Sequence, residues 1–308
     1  MNLLYCLDEN YNTQAFISIL SFIKKSSLGL NIHIIHQEPA TFEKYRKILS
    51  ELNNSKIYLY RFENKNNVDL PVGLGDHISE ATYYRIFIEQ HLPKDLGEIL
   101  YIDPDVVCIN NIEKIVSYTF KEIKKSGLTI AARTQGLKIH SEKLFNDLNI
   151  KTSYFNAGVM FINLENWRSS NLTELLIKKL NEIKDIIVFW DQDVLNAHFD
   201  GNYLEIEENL NFSGNKSVDN KELPNILSQV YLIHYLGSKK PWKISGGITL
   251  LSNCYQDLHY EIFGKFHIIY DYKRKDLFHL ITSIFSRKLF VLSHPFKYFK
   301  QAMFELIK

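Results

Sequence analysis

Short apolar runs alternate with amphipathic segments along the first hundred residues of the chain. The apolar runs are bounded by polar and turn-forming residues, which is typical of buried strands. The segments between them repeat apolar residues at helical spacing. We predict strands at 3–7, 30–36, 56–62 and 98–103 and helices at 13–24, 41–52 and 79–90, with Ser79 as the N-cap of the last helix.

This alternation of strands and helices favours βαβ units and a parallel sheet. Right-handed crossovers would then place the carboxyl ends of the strands at one edge of that sheet. The alternation ends after residue 103. Beyond it we predict strands at 128–132, 155–163 and 230–236, a polar loop at 209–222, and a helix at 171–184 with Asn171 as N-cap and Glu174 completing a capping box.

The end of the chain has two helical patterns of a different character. Apolar residues at 277, 280, 281 and 284 share one helical face, and those at 296, 299, 303, 304 and 307 share another, with Lys297, Lys300 and Lys308 opposite. Residues 266–308 carry a net charge of +5, whereas the remainder carries −4. We therefore predict an α/β domain at 1–265 and a basic amphipathic tail at 266–308 that lies on a membrane surface. The alternative is a helical pair packed on the domain.

Composition narrows the class of protein. With 308 residues, 45% of them hydrophobic and 23% charged, the chain suits one large α/β domain with an appendage. A net charge of +1 argues against a dedicated nucleic-acid binder. Three widely spaced cysteines indicate a reducing compartment. The acidic start of the chain and the lack of an apolar run of about 18 residues predict neither a signal peptide nor a spanning helix.

The stretch YIDPDVV places two carboxylates, Asp103 and Asp105, at the end of a predicted strand. Ligands of open parallel sheets bind outside the carboxyl ends of the strands. Two nearby hard oxygen donors suit a divalent cation, which cancels their mutual repulsion. Two alternatives stay open at this point: a turn that uses Asp and Pro for its shape, and a phosphatase with Asp103 as its nucleophile.

The stretch IHYLGSKKPW follows another predicted strand. His234 ends the apolar run, Gly237 lets backbone N–H groups approach a phosphate closely, and Lys240 supplies a positive charge. A metal ligand just before phosphate-binding groups suggests a metal–diphosphate site. An imidazole among carboxylates favours Mn²⁺ over Mg²⁺, which prefers oxygen ligands alone. A lone His at such a position is otherwise a core residue.

The stretch FWDQDVLN groups Asp191, Gln192 and Asp193 between apolar residues. These side chains can face a cleft. The structural alternative is a helix that begins at Asp191, where that side chain caps the helix and Asp193 favours its dipole.

The stretch SYFNAGVMFINLENWR interrupts an apolar run with the small residues Asn156, Ala157 and Gly158. Small residues let a sugar approach the backbone. The structural alternative is a β-bulge or a sharp turn.

The first predicted strand ends in LDENY, where Asp8 and Asn10 occupy the position at which such sheets read a base or ribose. Arg85, within HISEATYYR, is on a predicted helix, where an arginine is more often a solvated charge. The chain has no GxGxxG, Walker A, HExxH or GxSxG sequence. This argues against a dinucleotide-binding enzyme, a P-loop enzyme, a zincin and a serine hydrolase.

Six ordered motifs together resemble glycosyltransferase family eight, and most closely its bacterial lipopolysaccharide galactosyl- and glucosyltransferases. The resemblance covers about residues 1–265 and displaces the phosphatase alternative, whose later motifs have no match after Asp103. The motifs are LDENY, HISEATYYR, ILYIDPDVV, YFNAGVMFINLENWR, DQDVLN and HYLGSKKPW.

The resemblance implies a GT-A, Rossmann-like fold with a mixed central sheet, a UDP-sugar donor and a retaining, metal-dependent hexosyl transfer. It implies Mn²⁺, or Mg²⁺ as the alternative, on the UDP diphosphate. The implied roles are metal binding for Asp103, Asp105 and His234, uridine binding for Asp8 and Asn10, phosphate binding for Gly237 and Lys240, and lining of the donor sugar for Arg85, Asn156, Ala157, Asp191 and Gln192.

Gln192 would lie near the anomeric carbon, but an amide is a poor nucleophile. We therefore expect same-face attack by the acceptor hydroxyl, assisted by the leaving phosphate, over a glycosyl-enzyme intermediate. The chain departs from the family pattern at Glu9, where a second Asp is common. It also departs at Arg133 and Thr134, near which related galactosyltransferases have an acidic residue close to the acceptor.

These observations predict a cytoplasmic UDP-hexose transferase that acts on a lipid-linked glycan such as a lipopolysaccharide or lipooligosaccharide core. The basic tail would dock it on the inner face of the cytoplasmic membrane. The alternatives are a phosphohydrolase with Asp103 as nucleophile and an inactive sugar-binding homologue.

Overall fold

The computed structural model describes residues 1–65, 67–71, 79–135 and 142–308. His77 and Ile78 of the HISEATYYR motif lie outside these residues. Within the described part of the chain there are ten strands: β1 Asn2–Leu7, β2 Asn31–His36, β3 Lys56–Arg61, β4 Glu98–Ile102, β5 Val106–Cys108, β6 Ile130–Gln135, β7 Tyr154–Asn163, β8 Leu204–Glu205, β9 Phe212–Ser213 and β10 Leu232–His234.

The helices of the same described ranges follow the predicted segments closely in the first part of the chain. The α-helices are α1 Asn12–Lys25, α2 Glu43–Ser50, α3 Ile88–His91, α4 Glu113–Ser126, α5 Glu142–Asp147, α6 Leu164–Ser169, α7 Leu172–Ile183, α8 Trp190–Phe199, α9 Leu223–Gln229, α10 Ile244–Gly247, α11 Asn253–Phe263, α12 Lys273–Phe285 and α13 Pro295–Ile307. Short 3-10 helices lie at Glu9–Tyr11, Pro39–Phe42, Glu80–Phe87, Glu208–Leu210 and Lys288–Val291.

The first of two compact units comprises Met1–Phe16, Ser26–Pro104 and Ile112–Leu210. Its seven-stranded sheet has the order β3-β2-β1-β4-β7-β6-β8. The strands β3, β2, β1 and β4 are parallel, β7 is antiparallel to both of its neighbours, and β6 is parallel to β8. The predicted α/β class and mixed central sheet are therefore confirmed. Because β1 and β4 are parallel neighbours, Asp8 and Asp103 follow strands that end at one edge.

The strand β7, which lies between β4 and β6, is buried at all ten of its residues. Its apolar side chains occur on both faces, because helices cover a sheet of this kind on both sides. Trp167, Tyr83 and Tyr84 are among the fully buried side chains of the surrounding core. Full burial of one large apolar side chain stabilises the fold by roughly 1.5–3 kcal/mol. The core thus fixes the strand ends from which polar side chains project.

Two local predictions in this unit need correction. The predicted helix at 79–90 is mostly a 3-10 helix, although Ser79 does cap it by accepting a hydrogen bond from the Ala81 N–H at 3.3 Å. Asn171 does precede α7, but its side chain makes no capping hydrogen bond. Asn171 is left-handed, with φ of 52°, whereas a side-chain N-cap normally has extended backbone.

The second compact unit comprises Ile17–Lys25, Asp105–Asn111 and Asn211–Lys308. Its three-stranded sheet has the order β5-β10-β9, with β10 antiparallel to β5 and parallel to β9. The short strand β9 lies inside the predicted loop at 209–222, so that prediction is wrong at Phe212–Ser213. Two residues are too few to carry a strand signal, and the strand forms because β10 offers it a partner.

The C-terminal helices α12 and α13 belong to this unit and bury one side. Leu280, Tyr298, Ala302 and Leu306 form a core cluster that includes Ile244. The other side exposes large apolar residues, so the predicted single apolar face is divided between core and surface. The exposed fractions are 70% for Phe278, 84% for Phe285, 76% for Phe296, 59% for Phe304 and 75% for Ile307. Of the helices described, none has the length and apolar character needed to cross a membrane.

Candidate active site

Asp8 follows β1 and starts the 3-10 helix Glu9–Tyr11. Its carboxylate is 4% exposed and accepts hydrogen bonds from the Asn10 backbone N–H at 2.9 Å and from the Asn10 amide at 3.3 Å. The two predicted nucleotide-binding residues therefore form one local unit, with Asn10 exposed and Asp8 buried behind it.

Arg85 is only 5% exposed, so it is no solvated surface charge. Its guanidinium donates to the Ala157 carbonyl oxygen at 2.6 Å, to Asp103 Oδ1 at 3.3 Å and to both carboxylate oxygens of Asp191. Burial by itself would lower the pKa of Arg85, but Asp191, Tyr101 and Asp103 raise it well above its ordinary value. Arg85 is therefore a permanent buried cation that joins three segments of the first unit.

Tyr101 was not among the predicted site residues. Its hydroxyl donates to Asp103 Oδ1 at 2.6 Å, and its ring lies 4.7 Å from the central carbon of the Arg85 guanidinium. Burial raises the pKa of Tyr101 well above its usual range, which keeps the hydroxyl a donor. Residues 101 and 103 lie on one face of the chain because strand side chains alternate. This two-residue spacing could have predicted the contact between Tyr101 and Asp103.

Asp191 is completely buried on α8. One oxygen accepts a hydrogen bond from the Thr82 hydroxyl at 2.5 Å, and both oxygens face Arg85. The alternative interpretation of Asp191 as a helix cap is wrong, because α8 begins after Phe189 and has no side-chain cap. Its carboxylate is directed to a distant cation instead of to the helix N–H groups.

Gln192 links α8 to β7. Its side-chain oxygen accepts from the Ala157 N–H at 3.0 Å and from the Asn156 amide at 3.3 Å, while its NH₂ group donates to the Tyr154 hydroxyl at 3.2 Å. These three contacts fix which end of the amide is oxygen. Gln192, Asn156 and Ala157 are thus brought together, and Gln192 is partly exposed.

Two further polar residues of α8 hold this arrangement and were not predicted to do so. Asp193 accepts from the Tyr154 hydroxyl at 2.5 Å and from the backbone N–H groups of Val188 and Phe189, each at 2.7 Å. Asn196 bonds the backbone N–H and carbonyl of Phe155 at 2.7 and 2.9 Å. Polar residues in an otherwise buried helical pattern were the signal that could have identified them.

Asp105 is 7% exposed and belongs to the second unit. One carboxylate oxygen contacts the Lys240 ammonium, and the other, Oδ1, lies 3.1 Å from His234 Nε2. Burial by itself would raise the pKa of Asp105, but Lys240 and His234 together lower it well below its ordinary value. Among the described residues, Oδ1 has no hydrogen-bond partner, although it is buried. A buried carboxylate oxygen in that condition is suited to a cation.

His234 ends β10 and is 2% exposed. Its Nδ1 lies 2.9 Å from the side-chain oxygen of Asn211, a buried residue within the stretch predicted to be a loop. The register places His234 opposite Val106 of β5 and opposite Ser213 of β9. Asp105 and Asn211 each immediately precede one of those flanking strands, which brings both side chains to the imidazole.

Gly237 and Lys240 lie in the loop after β10. Gly237 is exposed with φ of 62°, a conformation that side-chain-bearing residues rarely adopt, and a Cβ there would meet no atom within 4 Å. Its backbone conformation, and not crowding, therefore explains the glycine. Lys240 Nζ also donates to the Tyr235 carbonyl oxygen at 2.8 Å.

Asp103, Asp105 and His234 form a group that can hold a metal ion, since one ligand atom of each lies within 4.8 Å of the others. Two carboxylates and an imidazole form a donor set that divalent first-row metals accept. The buried oxygen of Asp105 without a hydrogen bond adds a second reason. The residues present therefore fit a divalent cation.

Arg133 and Thr134, near which related galactosyltransferases have an acidic residue, lie beside an acidic residue from another strand. Arg133 pairs with Glu205 at 2.5 Å, and the Thr134 N–H donates to the same carboxylate at 3.1 Å. An acidic side chain is thus present beside these residues, supplied by β8. Arg133 lies opposite Asn156 in the register of β6 and β7.

The mixed sheet and the Asp-Asp-His group are those expected of a glycosyltransferase of the GT-A fold. A structure of the galactosyltransferase LgtC, solved with donor and acceptor sugar analogues, superposes with a TM-score of 0.70 over 90% of this chain and 100% of that one, at 19% identity. The chain belongs to the family described as glycosyl transferase family 8, whose sequence model matches residues 2–245. The predicted family is thereby confirmed.

Characterised relatives support the same family. Over 254 residues the chain is 30% identical to a lipopolysaccharide 1,2-glucosyltransferase of Escherichia coli K12, which covers 79% of this chain and 72% of the relative. It is 24% identical over 247 residues to a lipopolysaccharide 1,3-galactosyltransferase of Salmonella typhimurium, covering 78% and 72%. The phosphohydrolase alternative finds no support in these relatives.

Proposed function

We propose that this enzyme transfers a hexose, glucose or galactose, from a UDP-sugar to a saccharide acceptor of the lipopolysaccharide or lipooligosaccharide core, with retention at the anomeric carbon. The observation that carries the proposal is the group Asp103, Asp105 and His234 in a chain related to lipopolysaccharide hexosyltransferases. A UDP-sugar brings a diphosphate, which such a group would bind through a divalent cation.

We assign the nucleotide to residues at the strand ends. Asp8 and Asn10 would read the uridine, with exposed Asn10 supplying the contact that Asp8 orients. The backbone around Gly237 and the ammonium of Lys240 would contact the phosphates. Lys240 now pairs with Asp105, so nucleotide binding would give this cation a second anionic partner.

We assign the metal site to Asp103, Asp105 and His234, with Mn²⁺ as the expected ion. A nitrogen ligand in the set favours Mn²⁺ over Mg²⁺. When bound, such an ion neutralises charge that develops on the departing diphosphate. Lys240 would add a fixed positive charge for the same purpose.

We assign the donor sugar to Asn156, Ala157 and Gln192, with Arg85 and Asp191 beneath them. Gln192 has its amide oriented by three hydrogen bonds, so it can present a fixed dipole to the sugar without becoming a nucleophile. Asp191 is fully buried and would act through Arg85. Because none of these groups is an activated nucleophile, same-face attack by the acceptor hydroxyl remains the mechanism we favour.

We further propose that the tail at 266–308 docks the enzyme on the anionic inner face of the cytoplasmic membrane. Phe278, Phe285, Phe296 and Phe304 are exposed by more than half, and the segment has a net charge of +5. Exposed aromatic side chains beside lysines suit the interface of an anionic bilayer. The inner side of the same helices packs in the core of the second unit, so docking needs no unfolding.

The test of activity is release of UDP and transfer of labelled sugar from UDP-glucose, UDP-galactose and UDP-N-acetylhexosamines, with Mn²⁺ and with lipopolysaccharide cores truncated at successive sugars. We expect one hexose donor to support transfer and chelation of the metal to abolish it. Absence of UDP release with every donor and acceptor would favour an inactive sugar-binding homologue.

The test of docking uses point variants, because deleting the tail would also remove buried core residues. We expect Phe296→Ser combined with Phe304→Ser to reduce sedimentation with vesicles of phosphatidylethanolamine and phosphatidylglycerol, while UDP release is retained. Tyr118→Ser, at a residue 62% exposed on α4, is the matched control. Equal vesicle binding by the double variant and the control would refute the docking proposal.

A further inference from the structure

Asn211 lies outside the proposed ligand set and contacts its imidazole, His234, directly. It is 7% exposed, and its side-chain oxygen lies 2.9 Å from His234 Nδ1. The two ring nitrogens of a histidine are distinct. The hydrogen bond made by one of them determines which nitrogen is available to bind a metal. The contact therefore bears on what His234 offers to a ligand.

The side-chain oxygen of an amide only accepts hydrogen bonds. His234 Nδ1 then donates the hydrogen bond in this pair, which leaves Nε2 as the nitrogen directed at the Asp105 carboxylate. Nε2 lies 3.1 Å from Asp105 Oδ1, a buried oxygen that accepts no well-formed hydrogen bond among the described residues. A divalent cation bound there would be held by an imidazole nitrogen and a carboxylate oxygen together.

We infer that Asn211 is a positioning residue that holds His234 in the tautomer needed to bind a divalent cation through Nε2. The sheet of the second unit supports this role, because Asn211 immediately precedes β9 and Asp105 immediately precedes β5, the two strands that flank β10. Partners of this kind, which orient metal-bound histidines, typically change metal affinity 10- to 100-fold. The inference rests on the metal site proposed above.

The experiment measures Mn²⁺ binding without nucleotide, by the electron paramagnetic resonance signal of unbound Mn²⁺. Asn211→Leu keeps the shape but removes the acceptor, and we expect it to weaken Mn²⁺ binding by about 10- to 100-fold. Asn211→Asp keeps an acceptor and should remain within a few-fold of the wild type. Asn220→Leu, at an exposed residue nine positions along the chain, should have no effect.

A second measurement reads the tautomer directly. In protein labelled with ¹⁵N-histidine, the His234 signals, identified by their loss in His234→Gln, should show protonated Nδ1 in the wild type. In Asn211→Leu they should show a mixture of tautomers at unchanged thermal stability.

The outcomes separate this inference from the proposed function. If the wild type binds Mn²⁺ and Asn211→Leu binds it equally well, or if Asn211→Leu and Asn211→Asp lose affinity equally, the role of Asn211 is refuted. If the wild type fails to bind Mn²⁺, as Asp105→Asn is expected to fail, the metal site itself is refuted. A wild-type His234 protonated at Nε2 would overturn the role of Asn211 in either case.

Discussion

Two buried clusters of carboxylates and cations in this enzyme differ in how completely their atoms are paired. In the first unit, the Arg85 cluster joins Arg85, Asp191, Asp103, Thr82 and Tyr101, and both oxygens of Asp191 accept hydrogen bonds. In the second unit, the Asp105 cluster joins Asp105, His234, Lys240 and Asn211, and one oxygen of Asp105 has no hydrogen bond among the described residues.

The difference teaches what each cluster is suited to do. A buried ion pair with all its oxygens satisfied gains nothing from a new ligand, and breaking it is costly. A buried carboxylate with an unsatisfied oxygen gains from any cation that reaches it. We therefore regard the buried Arg85–Asp191 pair as a scaffold that also positions the proposed metal ligand Asp103, and the Asp105 cluster as a binding group. The following predictions test that distinction.

The largest effect is expected for Asp105→Asn. The amide can still accept from Lys240 but loses the charge that a divalent ion needs, so we expect sugar transfer to fall by about 10³-fold, equivalent to about 4 kcal/mol. The melting temperature should change by only a few degrees. Transfer above a tenth of the wild-type rate would contradict the assignment of Asp105 as a metal ligand.

Asp191→Asn should act on stability. It leaves the buried Arg85 without its closest anion, and we expect the free energy of unfolding in urea to fall by about 3 kcal/mol. Glu205→Gln, which breaks the more exposed pair with Arg133, should lower it by less than about 1 kcal/mol. Similar losses for both variants would show that the Arg85 cluster is no special scaffold.

Lys240→Met should act on ligand binding. Removing a charge-assisted contact to phosphate should weaken UDP binding in the presence of Mn²⁺ by about 30-fold, or about 2 kcal/mol, measured by calorimetry. Lys221→Met, at an exposed lysine of the same unit, serves as the control. Unchanged UDP affinity in Lys240→Met would remove Lys240 from the proposed phosphate site.

The smallest effect is expected for Tyr101→Phe. The ring beside Arg85 is kept and only the hydrogen bond to Asp103 is lost, so we expect a loss of about 1 kcal/mol, a factor of about 5 in transfer rate. Unfolding measured in parallel should show no larger change. A loss comparable to that of Asp105→Asn would indicate that Asp103 depends on Tyr101 for its position.

The sequence predicted much of the first unit because its signals are local. The strands β1 to β4 are five or six residues long and rich in apolar residues, and their parallel arrangement follows from βαβ connections. The short strand β9 was missed because two residues carry no periodicity. Its structure depends on β10, some twenty residues further along the chain.

The sequence predicted the individual residues of the candidate site but not the hydrogen bonds and ion pairs between them. The ligand types at Asp103, Asp105 and His234 are visible in the sequence, because each follows or ends an apolar run. The partnership of Arg85 with Asp191 is not, since 106 residues separate them and neither has a local reason to be buried. Asn211 was hidden in a polar stretch whose composition resembles a loop.

The ten consecutive buried residues of β7 have a consequence for variation in chain length. Because alternate residues face opposite sides, the loss of a single residue between Ala157 and Asn163 would exchange the two faces of everything on one side of the deletion. Substitutions there can be absorbed one by one, whereas insertions and deletions cannot. Differences in length between homologous chains should therefore gather in polar stretches such as 214–222 and avoid β7 altogether.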